Sequence, residues 1–139
     1  MTPAGDSGRR SGEGLPRARR DVLLVAADWQ SRTLALAELE EAGYDVAAEP
    51  GIRYGVRALV SGQAAPSLIL VDTQGDADAT PEQVAGLLDM APGAPAILVT
   101  GAYGRAAWAP LRPRLAALLH RPLTVDQIVA AVQRALRPL

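Results

Sequence analysis

Four side chains could do chemistry together: Asp28, Asp72, Thr100 and Arg121. Each stands at or just past the end of a short apolar run. Asp28 follows DVLLVAA, Asp72 ends PSLILVD, Thr100 ends PAILVT, and Arg121 comes after LAALLH. Two carboxylates held close repel each other and call for a cation between them. Paired oxygen ligands that leave room for water suit Mg²⁺. A carboxylate can also act as a covalent nucleophile toward an activated phosphoryl group. Positioning and charge neutralisation do most of the work in such a transfer. Thr100 could donate a hydrogen bond to a phosphoryl oxygen, and Arg121 could pair with another.

For these groups to meet, the elements carrying them must form one sheet. Leu68-Ile-Leu-Val71 is an unbroken apolar run of strand length bounded by turn residues, the pattern of a parallel strand covered on both faces. Residues 21–27, 44–48, 95–100 and 115–119 supply four more strands. Between them, residues 29–42 read as a helix, with Ala35, Leu39 and Ala42 at helical spacing and Gly43 closing it. Residues 52–61 read as a second, interrupted by Gly55. Thr80-Pro-Glu-Gln83 predicts a capping box opening a helix that reaches Met90, and Thr124 to Gln127 repeats that chemistry before the face Val125, Ile128, Val129, Val132 and Leu136. Residues 102–114 fit the pattern least, because Pro110 and Pro113 break any long helix. The fold class is therefore α/β, a doubly wound five-stranded parallel sheet. Right-handed crossovers leave the order 2-1-3-4-5, flavodoxin-like, or a Rossmann-like half. In the first, strands 1 and 3 are neighbours at the point where the topology reverses, and Asp28 and Asp72 end them.

Composition narrows the function classes. At 139 residues with a formal charge of −1, the chain is long enough for one domain with a sizeable core. No apolar run approaches the length of a membrane span. All 14 basic residues are Arg, and Lys, Asn, Phe and Cys are missing, a bias matching a high-GC genome. Residues 1–20 are rich in Gly, Pro, Ser and Arg and lack hydrophobic periodicity, so they are expected to be a disordered basic tail, with the domain at 21–139. The tail has five Arg against Asp6 and Glu13, no aromatic residue and no secretory apolar stretch. A solvated tail without direct DNA binding is the expectation. No phosphate-binding loop, dinucleotide fingerprint or nucleophile elbow is present, which argues against a nucleotide-binding or hydrolytic enzyme.

The ordered blocks VAAD at 25–28, EEAGYDV at 40–46, LILVD at 68–72, ILVTG at 97–101 and LLHRPL at 118–123, with their spacing, resemble the CheY-like receiver domain of bacterial two-component response regulators over residues 21–139. The resemblance implies a cytoplasmic phosphorelay protein that is not itself an enzyme. In it Asp72 is the phosphoacceptor, Asp28 a direct Mg²⁺ ligand and Gln74 a metal ligand through its backbone carbonyl. Thr100 is the switch hydroxyl, and Arg121 stands where the family has Lys. The implied partners are a sensor histidine kinase or phosphotransfer protein and an output protein. No output domain follows residue 139, so output is expected through another protein, and a homodimer is possible in this family.

The departures from that pattern carry equal information. The first of the two acids after strand 1 is Ala27, which should weaken Mg²⁺. Arg121 keeps the charge of the usual Lys but not its compact ammonium. The Met-Pro usual after the phosphoacceptor is Gly75-Asp76, and Leu118 stands in the place of the aromatic switch residue. Asp76 and Asp78 read as a solvated loop, His120 as structural, and Trp29 as a partly exposed lid. Tyr103 and Trp108 read equally as a contact surface or as packing. Two readings follow: Mg²⁺-dependent phosphorylation of Asp72 with partner binding, or a pseudo-receiver that is a protein-interaction module independent of phosphorylation.

Overall fold

The computed structural model describes residues 19–102 and 104–138. Tyr103 and residues 1–18 of the expected tail lie outside them. In chain order the elements are β1 (Arg19–Ala26), α1 (Trp29–Glu41), β2 (Val46–Glu49), α2 (Ile52–Val60), β3 (Ala65–Asp72) and α3 (Pro81–Asp89). They continue with β4 (Ala96–Thr100), a 3-10 segment (Arg105–Arg114), β5 (Ala117–His120) and α4 (Val125–Ala135). All five strands are parallel, in the order β2-β1-β3-β4-β5. That is the first of the two expected orders.

Strand alternation sorts the core into two layers. Leu23, Val25, Ile69, Val71 and Leu98 point to one face, where Ile52 and Leu59 of α2, Val84 and Leu87 of α3, and Trp108 and Leu111 of the 3-10 segment cover them. Val22, Leu24, Leu68, Leu70, Ile97 and Val99 point to the other, under Ala35 and Leu39 of α1 and Ala131 and Val132 of α4. Both faces are dry, which is why these strands read as continuous apolar runs. Asp72 continues the Leu68, Leu70 row, so it stands on the α1/α4 side.

Several local expectations are refined. β1 begins at Arg19, inside the stretch assigned to the tail. Arg19 and Arg20 align with Ala65 and Pro66 of β3, and Arg20 bonds the Asp45 carboxylate at 2.9 Å. The Thr80 cap forms only by half: its side chain accepts from the Gln83 amide at 3.2 Å, with no return bond recorded. At Thr124 both halves close, the Gln127 side chain accepting from the Thr124 amide at 2.7 Å. Gly55, the weak point of the α2 pattern, is where the helix crosses β1, and a Cβ there would lie 2.9 Å from Val25 Cγ2. Small size at that position permits close packing. The fourth crossover is a 3-10 segment, because Pro110 and Pro113 each remove an amide donor from a regular helix.

Glu49 ends the edge strand β2, beside Val25 of β1. Partial burial pushes its carboxyl above the ordinary 4.5. A raised native pKa means the folded state holds the proton more tightly than the unfolded chain. Its contribution favours folding at low pH and is lost as pH rises through the raised value. Glu49→Gln should therefore raise Tm at neutral pH, with the gain shrinking on acidification. A gain that is constant across a pH series of thermal melts would mean that the charge of Glu49 is not the cause.

Candidate functional site

The site is built at the carboxyl ends of β1, β3 and β4 and in the turn after β5. Asp72 is the last residue of β3, and its side chain is only 7% exposed. Arg121 reaches it from the turn leading into α4. Nη1 donates to Oδ1 at 2.7 Å, and Nη2 donates to Oδ2. The Gln74 amide adds a third bond, to Oδ1 at 3.0 Å. A planar fork facing a planar carboxylate is the strongest geometry available to such a pair, and a lysine ammonium cannot reproduce it. Asp72 is thus paired with a cation and accepts hydrogen bonds on both oxygens. The pair forms one wall of a cavity of about 130 Å³ whose apolar walls include Leu24, Leu70, Val99 and Ile128.

Asp28 is committed locally. It is the N-cap of α1, and Oδ2 accepts from the Ser31 amide at 2.9 Å. That bond is the main reason its pKa lies below the ordinary carboxylate value, with smaller help from the charges of Arg121 and Arg32. Arg32 in turn donates to the Ala26 carbonyl at 2.8 Å, closing the end of β1. Arg121 bonds Asp72 directly, and its charge adds a smaller push that favours ionised Asp28.

Thr100 is buried, but its hydroxyl lies 2.9 Å from His120 Nδ1 and 3.3 Å from the Gly101 carbonyl oxygen. The β3–β4 register explains the separation from Asp72: Asp72 aligns with Val99, so Thr100 starts from the opposite face of the sheet. Thr100 and His120 align across β4 and β5, and the imidazole of the single histidine meets the hydroxyl. Leu118, in the place of the aromatic switch residue, packs against the α2/α3 core.

Two expectations need restating. The structure brings Asp28, Asp72 and Arg121 to one rim, with Gln74 present through its amide, and sends the Thr100 hydroxyl to His120. The expected Mg²⁺ ligands were Asp28, Asp72 and the Gln74 carbonyl. Among the described residues no group of three His, Cys, Asp or Glu side chains is placed to hold a metal. One carboxylate caps a helix and the other has both oxygens on a guanidinium. As arranged, a Mg²⁺ at this rim would have to compete with the Arg121 guanidinium for both Asp72 oxygens and with the Ser31 amide for Asp28 Oδ2.

One contributor was missed. Asp76, read as a solvated loop residue, accepts from the Ile52 amide at 2.9 Å and from the Asp78 amide at 2.9 Å. It thereby serves as the N-cap of α2 from another part of the chain, where Gly51 has no side chain to do so. Gly51 has φ +155°, and a Cβ there would lie 3.3 Å from Asp76 Oδ2. The loop after Asp72 is tied to α2 in place of the usual Met-Pro. Nothing local marks this, because the acceptor and its helix are 24 residues apart. Trp29 is 63% exposed beside Asp28, as expected of a rim residue.

No protein-family model matches the sequence, and no curated protein matches it. Solved structures do match. A response regulator receiver protein from Sinorhizobium medicae superposes with a TM-score of 0.70 at 21% identity, over 83% of this chain and 92% of the other. A CheY-like receiver domain protein from Methanospirillum hungatei gives 0.72 at 19%, over 84% and 93%. A protein described as an adenylate cyclase from Rhodopirellula baltica gives 0.73 at 18%, over 88% and 89%. The chain has the fold of response regulator receiver domains. At these identities the likeness is one of fold, and a fold of this kind hosts many functions.

Proposed function

We propose that the chain is a signalling module of receiver fold that acts through contact with a partner protein, with Asp72 held by Arg121 instead of being switched by phosphorylation. The observation that carries this reading is the two-pronged Arg121–Asp72 pair. A phosphoacceptor needs a free carboxylate oxygen and a cation to neutralise the incoming phosphoryl group. Here both oxygens are occupied. Ala27 removes one acid of the usual pair, Asp28 is spent on a helix cap, and Thr100 is bonded to His120. Such a domain presents one stable surface, and its output depends on which partner docks there.

A second reading has one observation in its favour. Asp72 stands at the carboxyl end of the central strand, beside the point where strand order reverses and where ligands of open α/β sheets bind. On that reading a sensor histidine kinase or phosphotransfer protein phosphorylates Asp72 with Mg²⁺ in the cytoplasm, and an output protein binds the product. Arg121 would then have to leave Asp72 before the transfer and pair with the phosphoryl group after it.

Intact-mass measurement with a small phosphodonor and Mg²⁺, on wild type and Asp72→Asn, separates the two. The expected result is no phosphoryl adduct on folded wild-type protein. One adduct, lost in Asp72→Asn, would overturn the proposal in favour of phosphorylation.

A further inference from the structure

We infer that Arg121 is the built-in cation of this acidic rim: its guanidinium makes the site independent of a divalent ion, and residues 27 and 121 together decide whether a metal can enter. The inference rests on the reading that Asp72 is held by Arg121. Three observations carry it. The guanidinium bonds both Asp72 oxygens, Nη1 to Oδ1 and Nη2 to Oδ2. A divalent ion at that rim would meet a positive charge and would compete with the guanidinium for both Asp72 oxygens. The Asp72 side chain is only 7% exposed, beside Leu24, Leu70 and Val99, so removing its cation would leave a buried carboxylate poorly compensated. Ala27 adds no carboxylate to offset the second positive charge.

The fork explains why arginine matters here. A lysine ammonium presents a single compact charge on a flexible four-carbon stem without the planar fork, and would leave one Asp72 oxygen more open to an ion. Exchanging Arg121 alone frees that oxygen but leaves the rim one acid short. Exchanging Ala27 alone adds an acid without freeing Asp72. The two changes together are needed, so the effect should be cooperative.

The test uses Mn²⁺ as the probe, with the loss of the free-ion paramagnetic resonance signal as a direct measure of binding and Trp29 fluorescence as a second readout. Wild type should bind no Mn²⁺ stoichiometrically at millimolar ion. Ala27→Asp/Arg121→Lys should bind one ion at least about 100-fold more tightly than wild type, because changing even the partners of metal ligands shifts affinity by about 10–100-fold. Circular dichroism checks that the variant is folded, and Arg121→Gln in the same Ala27→Asp background provides a second test without a cation at 121. One Mn²⁺ bound by wild type would overturn the inference, as would folded double variants that bind none. The outcome is independent of the mass assay: wild type that binds Mn²⁺ but takes no phosphoryl group sinks only this inference. Wild type that takes a phosphoryl group without binding the ion sinks only the proposed function.

Discussion

Arg121→Ala is expected to cost about 3–5 kcal/mol of folding stability, the usual range when one partner of a buried ion pair is removed. The reason is what it leaves behind. Asp72 is 7% exposed, against an apolar cavity, and would keep only the Gln74 amide as a donor. Arg121 is 25% exposed, which points to the lower end of that range, since some water can follow the truncated side chain. Domains of this size are stable by about 5–15 kcal/mol, so the loss is a large share. At an m-value of about 2 kcal/mol/M the urea midpoint should fall by about 1.5 M. The converse change, Asp72→Asn, should cost less, because the freed guanidinium is closer to solvent and the amide oxygen can still accept. Combining the two should be non-additive by about 0.5–3 kcal/mol, as for residues in direct contact. Additive losses in that double-mutant cycle would mean the two side chains are not energetically coupled, and the pair would lose its place as the centre of the site.

What the sequence made legible follows the range of the interactions involved. The runs Leu68–Val71 and Ile97–Val99 gave strand identity because both sheet faces are covered, and the parallel order followed from the intervening helical patterns. Convergence of Asp28, Asp72 and Arg121 on one rim was legible too, since it needs only the strand order. The choice of partner within that rim was not. Whether Asp72 meets a metal, a Thr hydroxyl or a guanidinium depends on register and side-chain reach between residues 49 apart. The one-residue offset that aligns Asp72 with Val99 is what turns Thr100 toward His120. Asp76 was hidden for the same reason: an aspartate in a Gly-Asp loop looks solvated until the helix it caps is placed beside it. Arg19 and Arg20 misled through composition, because a basic stretch resembles a tail unless its strand partners at Ala65 and Pro66 are known.

The fourth crossover is anchored to the core by two side chains, and Trp108→Ala measures this. Among the residues of the 3-10 segment only Trp108 and Leu111 are buried, at 8% and 4% exposure, while Pro110 and Pro113 deny it a regular hydrogen-bond ladder. Both alternatives read for Trp108 were open from sequence, and the structure places it in the core with α3. Truncating a buried Trp to Ala costs about 3–5 kcal/mol in a rigid core. Here the loss should first appear locally. Amide exchange should accelerate in residues 104–115 at denaturant levels where β1 and β3 remain protected, because a segment joined to the core through two buried side chains can detach without opening the sheet. Trp29 is exposed, so the buried Trp108 should dominate the blue-shifted part of the native emission, and that part should vanish in the variant. Uniform acceleration across all strands would mean the segment unfolds only with the whole domain. A loss below about 1 kcal/mol would mean that Leu111 alone suffices as the anchor.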